Sequence, residues 1–92
     1  MAKKNERQVM ETEYPKAHYT LDGEELDKAM HDCFSIFWKA YRESVKSGNF
    51  KPYNECFREL YERYDDDNVM RFIQGLAFGS VGAANRRIQN GD

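Results

Sequence analysis

From Glu24 to Ser47 the chain contains neither proline nor glycine, and its apolar residues recur at helical spacing. This predicts one long helix over residues 23–47. Asp22-Gly23-Glu24-Glu25 fits a capping box, in which Asp22 accepts from the Glu25 backbone and the Glu25 side chain reaches back. Gly48-Asn49 supplies the stop. At about 100° per residue, Leu26, Ala29, Met30, Cys33, Phe37, Ala40 and Tyr41 form the centre of one face. Ile36 widens that face on one side; Phe34, Val45 and Trp38 widen it on the other. The apolar arc comes to about 200°, against the ~100° stripe of a helix lying on one neighbour. Such a helix must touch two elements, or one element and a partner.

Pro52 pre-sets the backbone for a second helix, over residues 52–64. Tyr53, Cys56, Phe57, Leu60, Tyr61 and Tyr64 give it a face of about 140°, with Glu55, Arg58, Glu59 and Glu62 opposite. Asp65-Asp66-Asp67-Asn68 breaks that helix, and Asp67 or Asp66 caps a third over residues 67–89. Arg86 and Arg87 suit the negative end of its dipole, and Gly91 lies just past it. Between Arg71 and Asn85 no residue is charged. Val69, Ile73 and Leu76 face one way and Phe78 nearly the opposite way, a pattern that predicts burial on all sides.

The third helix also carries Gly75, Gly79 and Gly82, clustered within about 60° of one another. Each costs roughly 1 kcal/mol relative to alanine in a helix interior. Close approach of another helix, within the chain or across a dimer, is the usual compensation; a kink or the approach of a ligand is the alternative.

The expected fold is therefore all-α: a three-helix antiparallel bundle in one domain over residues 20–92, preceded by a flexible or extended arm over residues 1–19. That arm is polar, interrupted by Pro15, with Val9, Met10, Tyr14 and Tyr19 as its docking candidates. A chain of 92 residues closes one modest core and lacks the volume for a deep substrate cavity. Six Phe, six Tyr and Trp38 mean that much of the burial comes from rings. The first residues lack the apolar stretch of a secretory signal, and no apolar run reaches the roughly 20 residues of a membrane span. Free, buried Cys33 and Cys56 fit a reducing cytoplasm.

Catalytic and metal chemistry find little purchase. His31 and Cys33 lie about 200° apart on a helix, too far to share an ion, and His18 and Cys56 do not complete a zinc site of loop-type spacing. Neither cysteine has a local base that would activate it. The three helical glycines follow no strand and so form no phosphate loop. Asp65-Asp66-Asp67-Asn68 lacks the glycine and glutamate of a calcium loop. No cofactor and no enzymatic activity are expected.

Surface chemistry is more informative. Net charge is −2, and residues 51–68 hold six acidic against three basic side chains. Glu55, Glu59, Glu62, Asp65, Asp66 and Asp67 form an acidic strip, either a solvated face or a landing surface for a basic partner. Lys39, Arg42 and Lys46 make a basic stripe that suits the helix's negative end and also phosphates. The excess apolar surface predicts an interface built from Trp38, Phe72, Gly75, Phe78, Gly79 and Gly82. The leading expectation is a protein–protein interaction module, homodimeric, in its narrower form a phage or mobile-element inhibitor of a host nuclease or defence complex. The alternative is a small nucleic-acid-associated regulator using Lys3, Lys4, Arg7 and the basic stripe.

Overall fold

The computed structural model describes residues 18–89, which contain three α-helices and no strand. Helix α1 spans Gly23–Ser47, α2 spans Lys51–Arg63 and α3 spans Asp67–Ala84, continuing into a π-helical turn at Asn85–Gln89. Short connections make the helices alternate in direction, so α1 and α3 run the same way. Helix α1 packs against both others and against the π turn. The wide face read from its sequence meets two neighbours, as that width requires.

The core is ringed. Phe37 sits 5.9 Å from Tyr41 and 5.8 Å from Phe57, while Tyr53 meets Phe57 edge-on at 5.1 Å between ring centroids. Cys33, Leu60, Val69, Ile73, Ala84 and Ile88 complete it. A shared hydrogen bond of 2.8 Å between the hydroxyls of Tyr53 and Ser80 ties α2 to α3.

The start of α2 shows how completely orphan backbone donors are satisfied. The Lys51 N–H donates to Asn49 Oδ1 at 2.8 Å, Pro52 has no N–H, and the Tyr53 N–H donates to the buried Ser44 Oγ at 2.8 Å. Ser44, on the last turns of α1, thus caps the next helix. Gly48 ends α1 at φ 71°, and its N–H donates to the Ser44 carbonyl at 2.8 Å.

Two expectations about helix starts change. Asp22 is the N-cap of α1, but its side chain makes no capping bond. Gly23 at φ 53° explains this, because a left-handed first residue turns the backbone away from capping-box geometry. Of the two candidate caps for α3, Asp66 is the one used: its Oδ1 accepts from Asn68 N at 2.8 Å and Val69 N at 3.1 Å.

The other oxygen of Asp66 does something the sequence does not reveal. Asp66 Oδ2 accepts from Thr20 N at 2.8 Å and Leu21 N at 2.9 Å. Around this carboxylate, Asp67 N donates to the His18 carbonyl at 2.8 Å and His18 N donates to Asp67 Oδ2 at 2.7 Å. Residues 18–21 are therefore strapped to the α2–α3 turn. Of the expected arm, residues 1–17 lie outside the described residues, with Val9, Met10 and Tyr14 among them; Tyr19 is exposed.

Asp66 is 1% exposed, and its carboxyl is held below the ordinary carboxylate range. The Leu21 N–H is the largest influence; burial opposes it, and the N–H groups of Val69, Thr20 and Asn68 outweigh that opposition. A depressed pKa contributes stability that is complete above about pH 4 and lost as pH falls through the folded-state value. Asp66→Ala is expected to lower Tm by about 10 °C, as loss of a cap and stranding of N–H groups would in a domain of this size. Asp66→Asn should flatten the fall of Tm between about pH 5 and pH 2; thermal melts across that range check it, and an unchanged acid limb would refute the assignment. Ser44→Ala, which strands the Tyr53 N–H, should cost about 1–3 kcal/mol in chemical denaturation.

Candidate functional site

Helix α3 departs furthest from its sequence expectation. Only Val69, Ile73 and Ala84 are buried along it, so it is covered on one face and not all round. Phe78 is 79% exposed and Val81 47% exposed. The physical reason is the number of neighbours: a helix in a three-helix bundle touches two others, which cannot enclose it.

The predicted interface residues divide accordingly. Phe72 is half-buried and packs on the core. At about 100° per residue, Gly75, Gly79 and Gly82 form a strip on the outer side of α3 with Phe78 along one border and Phe72 along the other. A Cβ built at any of the three glycines meets nothing within 4 Å among the described residues. Among the described residues, then, nothing packs closely against these glycines.

Trp38 lies apart on α1. Its ring stacks with Phe34 at 6.3 Å and Tyr41 at 5.5 Å, the Arg42 guanidinium lies 5.9 Å over it, and it is 44% exposed. Lys39, Arg42 and Lys46 are exposed and line an open cleft with Trp38, Glu43, Val45 and Arg87. The sequence pattern ties Arg87 only to the helix dipole. Its place in this cleft follows from α1 and α3 ending together, which helix direction alone would have indicated.

The acidic strip is interrupted. Asp66 is internal and cannot present a charge to a partner. Glu59 pairs with Arg63 at 2.7 Å, and the Asp65 carboxylate lies 3.2 Å from His18 Nε2. Glu55 and Glu62 remain exposed on α2. The groove between α1 and α2 is lined by Lys39 and Lys51 against Glu43, Glu55 and Glu59, a balance that selects no strongly charged ligand.

His31 is exposed and Cys33 buried, and among the described residues no three His, Cys, Asp or Glu side chains gather as a metal site. Both cysteines are free and buried. Burial, with the Asp32 charge adding to it, pushes the Cys33 thiol from 9.0 to about 11; burial and Glu59 push Cys56 to about 12. The Cys56 thiol donates to the Tyr53 carbonyl at 3.1 Å. Neither sulfur is poised as a nucleophile, which needs a lowered value.

No protein-family model matches the chain, and no curated protein or solved structure matches it. No helix among the described residues is long and apolar enough to cross a membrane.

The shift of Cys33 from 9.0 to about 11 lowers its thiolate population about a hundred-fold. A thiol-reactive disulfide reagent at about pH 8 should accordingly label both cysteines at least about a hundred-fold more slowly in the native protein than in guanidinium. Rapid native labelling would contradict their placement in the core.

Proposed function

We propose that this protein is a non-enzymatic protein–protein interaction module that self-associates through the outer face of α3. The observation that carries the reading is Phe78, exposed near the middle of that helix beside a strip of three uncovered glycines. Three glycines in a helix interior cost about 3 kcal/mol relative to alanine, a large fraction of the about 5–15 kcal/mol that holds a domain together. The open space around them among the described residues means that alanine would fit there, so those residues supply no reason for them. Close approach of a second helix does.

The spacing is self-complementary. When two copies of α3 pack antiparallel about a two-fold axis passing between residues 78 and 79, Phe78 falls opposite Gly79 of the second copy. Gly75 then falls opposite Gly82. A bulky ring thus meets a gap on each side of the axis, which is the arrangement an isologous dimer requires. Val81 adds apolar area at the margin. The narrower inhibitor reading leaned on the acidic strip; with Asp66 internal and Glu59 paired, self-association through α3 has the stronger support.

Size-exclusion chromatography with light scattering tests this. The chain should run at twice its 10.9 kDa mass and dissociate on dilution. Phe78→Asp and Gly79→Leu should each give the monomer with helical circular dichroism intact, because neither position touches the core. A monomer mass at every concentration would end the proposal.

A further inference from the structure

Helix α1 carries an aromatic surface of its own. Phe34 and Trp38 are both about half-exposed, and their rings stack on one another. The series continues inward through Tyr41, which is buried. Adjacent rings left partly in water mark an interface.

Helix geometry decides where these rings stand. Ile36 and Ala40 line the groove that α1 forms with Pro52 and Cys56 of α2. Phe34 and Trp38 lie about 120–160° round the axis from them. Trp38 also shares a cleft with Arg87, in the turn that continues α3, so this flank of α1 is the one beside α3. Helices α1 and α3 run the same way, and viewed from their starts both turn clockwise. On α1, α3 lies clockwise of α2; on α3, α1 therefore lies anticlockwise of α2. That direction leads from the buried Val69 and Ile73 to Phe72 and Gly79, one border of the glycine strip. The strip thus adjoins the aromatic flank of α1, with Phe78 on its far side.

Heights agree as well. Asp66 ties Thr20 and Leu21 to the start of α3, and Gly48, just past α1, approaches the Ile88 carbonyl. Between those two ties, at an equal rise per residue, Phe34 comes level with about residues 76–78 and Trp38 with about residues 80–82. The two rings therefore stand just below and just above the level between residues 78 and 79, where the two-fold axis of the α3 pair passes.

We infer that Phe34 and Trp38 form a second contact of the dimer, Phe34 of one copy packing on Trp38 of the other, twice about the same axis. This rests on self-association through α3. The two-fold axis of an antiparallel pair is perpendicular to the plane of the two helices, so both copies of α1 fall on one side of that plane. Reversal of direction brings Phe34 of each copy to the height of Trp38 of the other. Area points the same way. A stable interface covers about 600–1,000 Å² on each partner. One ring supplies about 150–250 Å² when fully covered, so Phe78 with Val81 at its margin falls short. The rings of α1 extend the apolar area directly beside the strip.

Trp38 is the only tryptophan, so its emission reports this contact alone. The full chain would be diluted stepwise, with light scattering and tryptophan emission followed in parallel. Emission should move to longer wavelength at the concentration where the mass halves, ending at the spectrum of the Phe78→Asp monomer. Phe34→Ala should raise the dimer dissociation constant at least about tenfold with helical circular dichroism intact. Tyr19→Ala, an exposed ring on the strap, should leave it unchanged. A dimer that dissociates with no change in Trp38 emission, or with the same constant in Phe34→Ala, refutes the α1 contact and leaves the α3 interface standing. Equal weakening by Tyr19→Ala would mean unspecific apolar association and would also refute it. A monomer mass at every concentration overturns both.

Discussion

A carboxylate shielded from water is tolerated only when its lone pairs are filled, and Asp66 fills them with four backbone N–H groups from two distant stretches of chain. Thr20 and Leu21 enter α1; Asn68 and Val69 begin α3. One side chain therefore caps a helix and fastens the chain's earlier entry to it. The two parallel helices start level because of this tie, and they finish near one another at the other end. The meeting of Lys46 with Arg87 in one cleft is thus a remote consequence of where Asp66 sits.

Helix α2 is placed by different means. Ser44 and Asn49 satisfy its first donors, and Pro52 removes one donor altogether. Its rings then fill the angle between α1 and α3, Tyr53 edge-on against Phe37 and Tyr41 and Phe57 tilted against Phe37. With α2 seated there, α1 has used both sides of its wide face. The outer half of α3 has no helix left to meet among the described residues.

Much of this architecture was legible in punctuation. Gly48, Pro52 and the aspartate run mark the breaks, and the helices fall within a few residues of the predicted spans. What the sequence hid was tertiary. Asp66 and Asp67 look equivalent as caps until the strap of residues 18–21 picks out the first of them. The capping-box pattern at Asp22 matched in residue type and failed in backbone angle, because Gly23 is left-handed. In α3, an absence of charge reported apolar character faithfully but carried no information on how many neighbours were present to bury it. Candidate surfaces suffered the same limit: Phe78 and the glycines were recognisable, whereas Arg87 joined the basic stripe only through the way the helices end.

Asp66 and Phe78 invert the usual partition, the charged group inside and the aromatic ring in water. Each inversion needs compensation. For Asp66 the compensation is internal and complete, since every N–H it gathers would otherwise be an orphan at a helix start or in the strap. For Phe78 no compensating contact lies among the described residues, and the glycines beside it add conformational cost without relieving any internal crowding. Two unfavourable features on one helix face, neither accounted for by the described residues, would share a single physical remedy in the proposed dimer: a surface that takes the ring out of water and comes close enough to need the glycines.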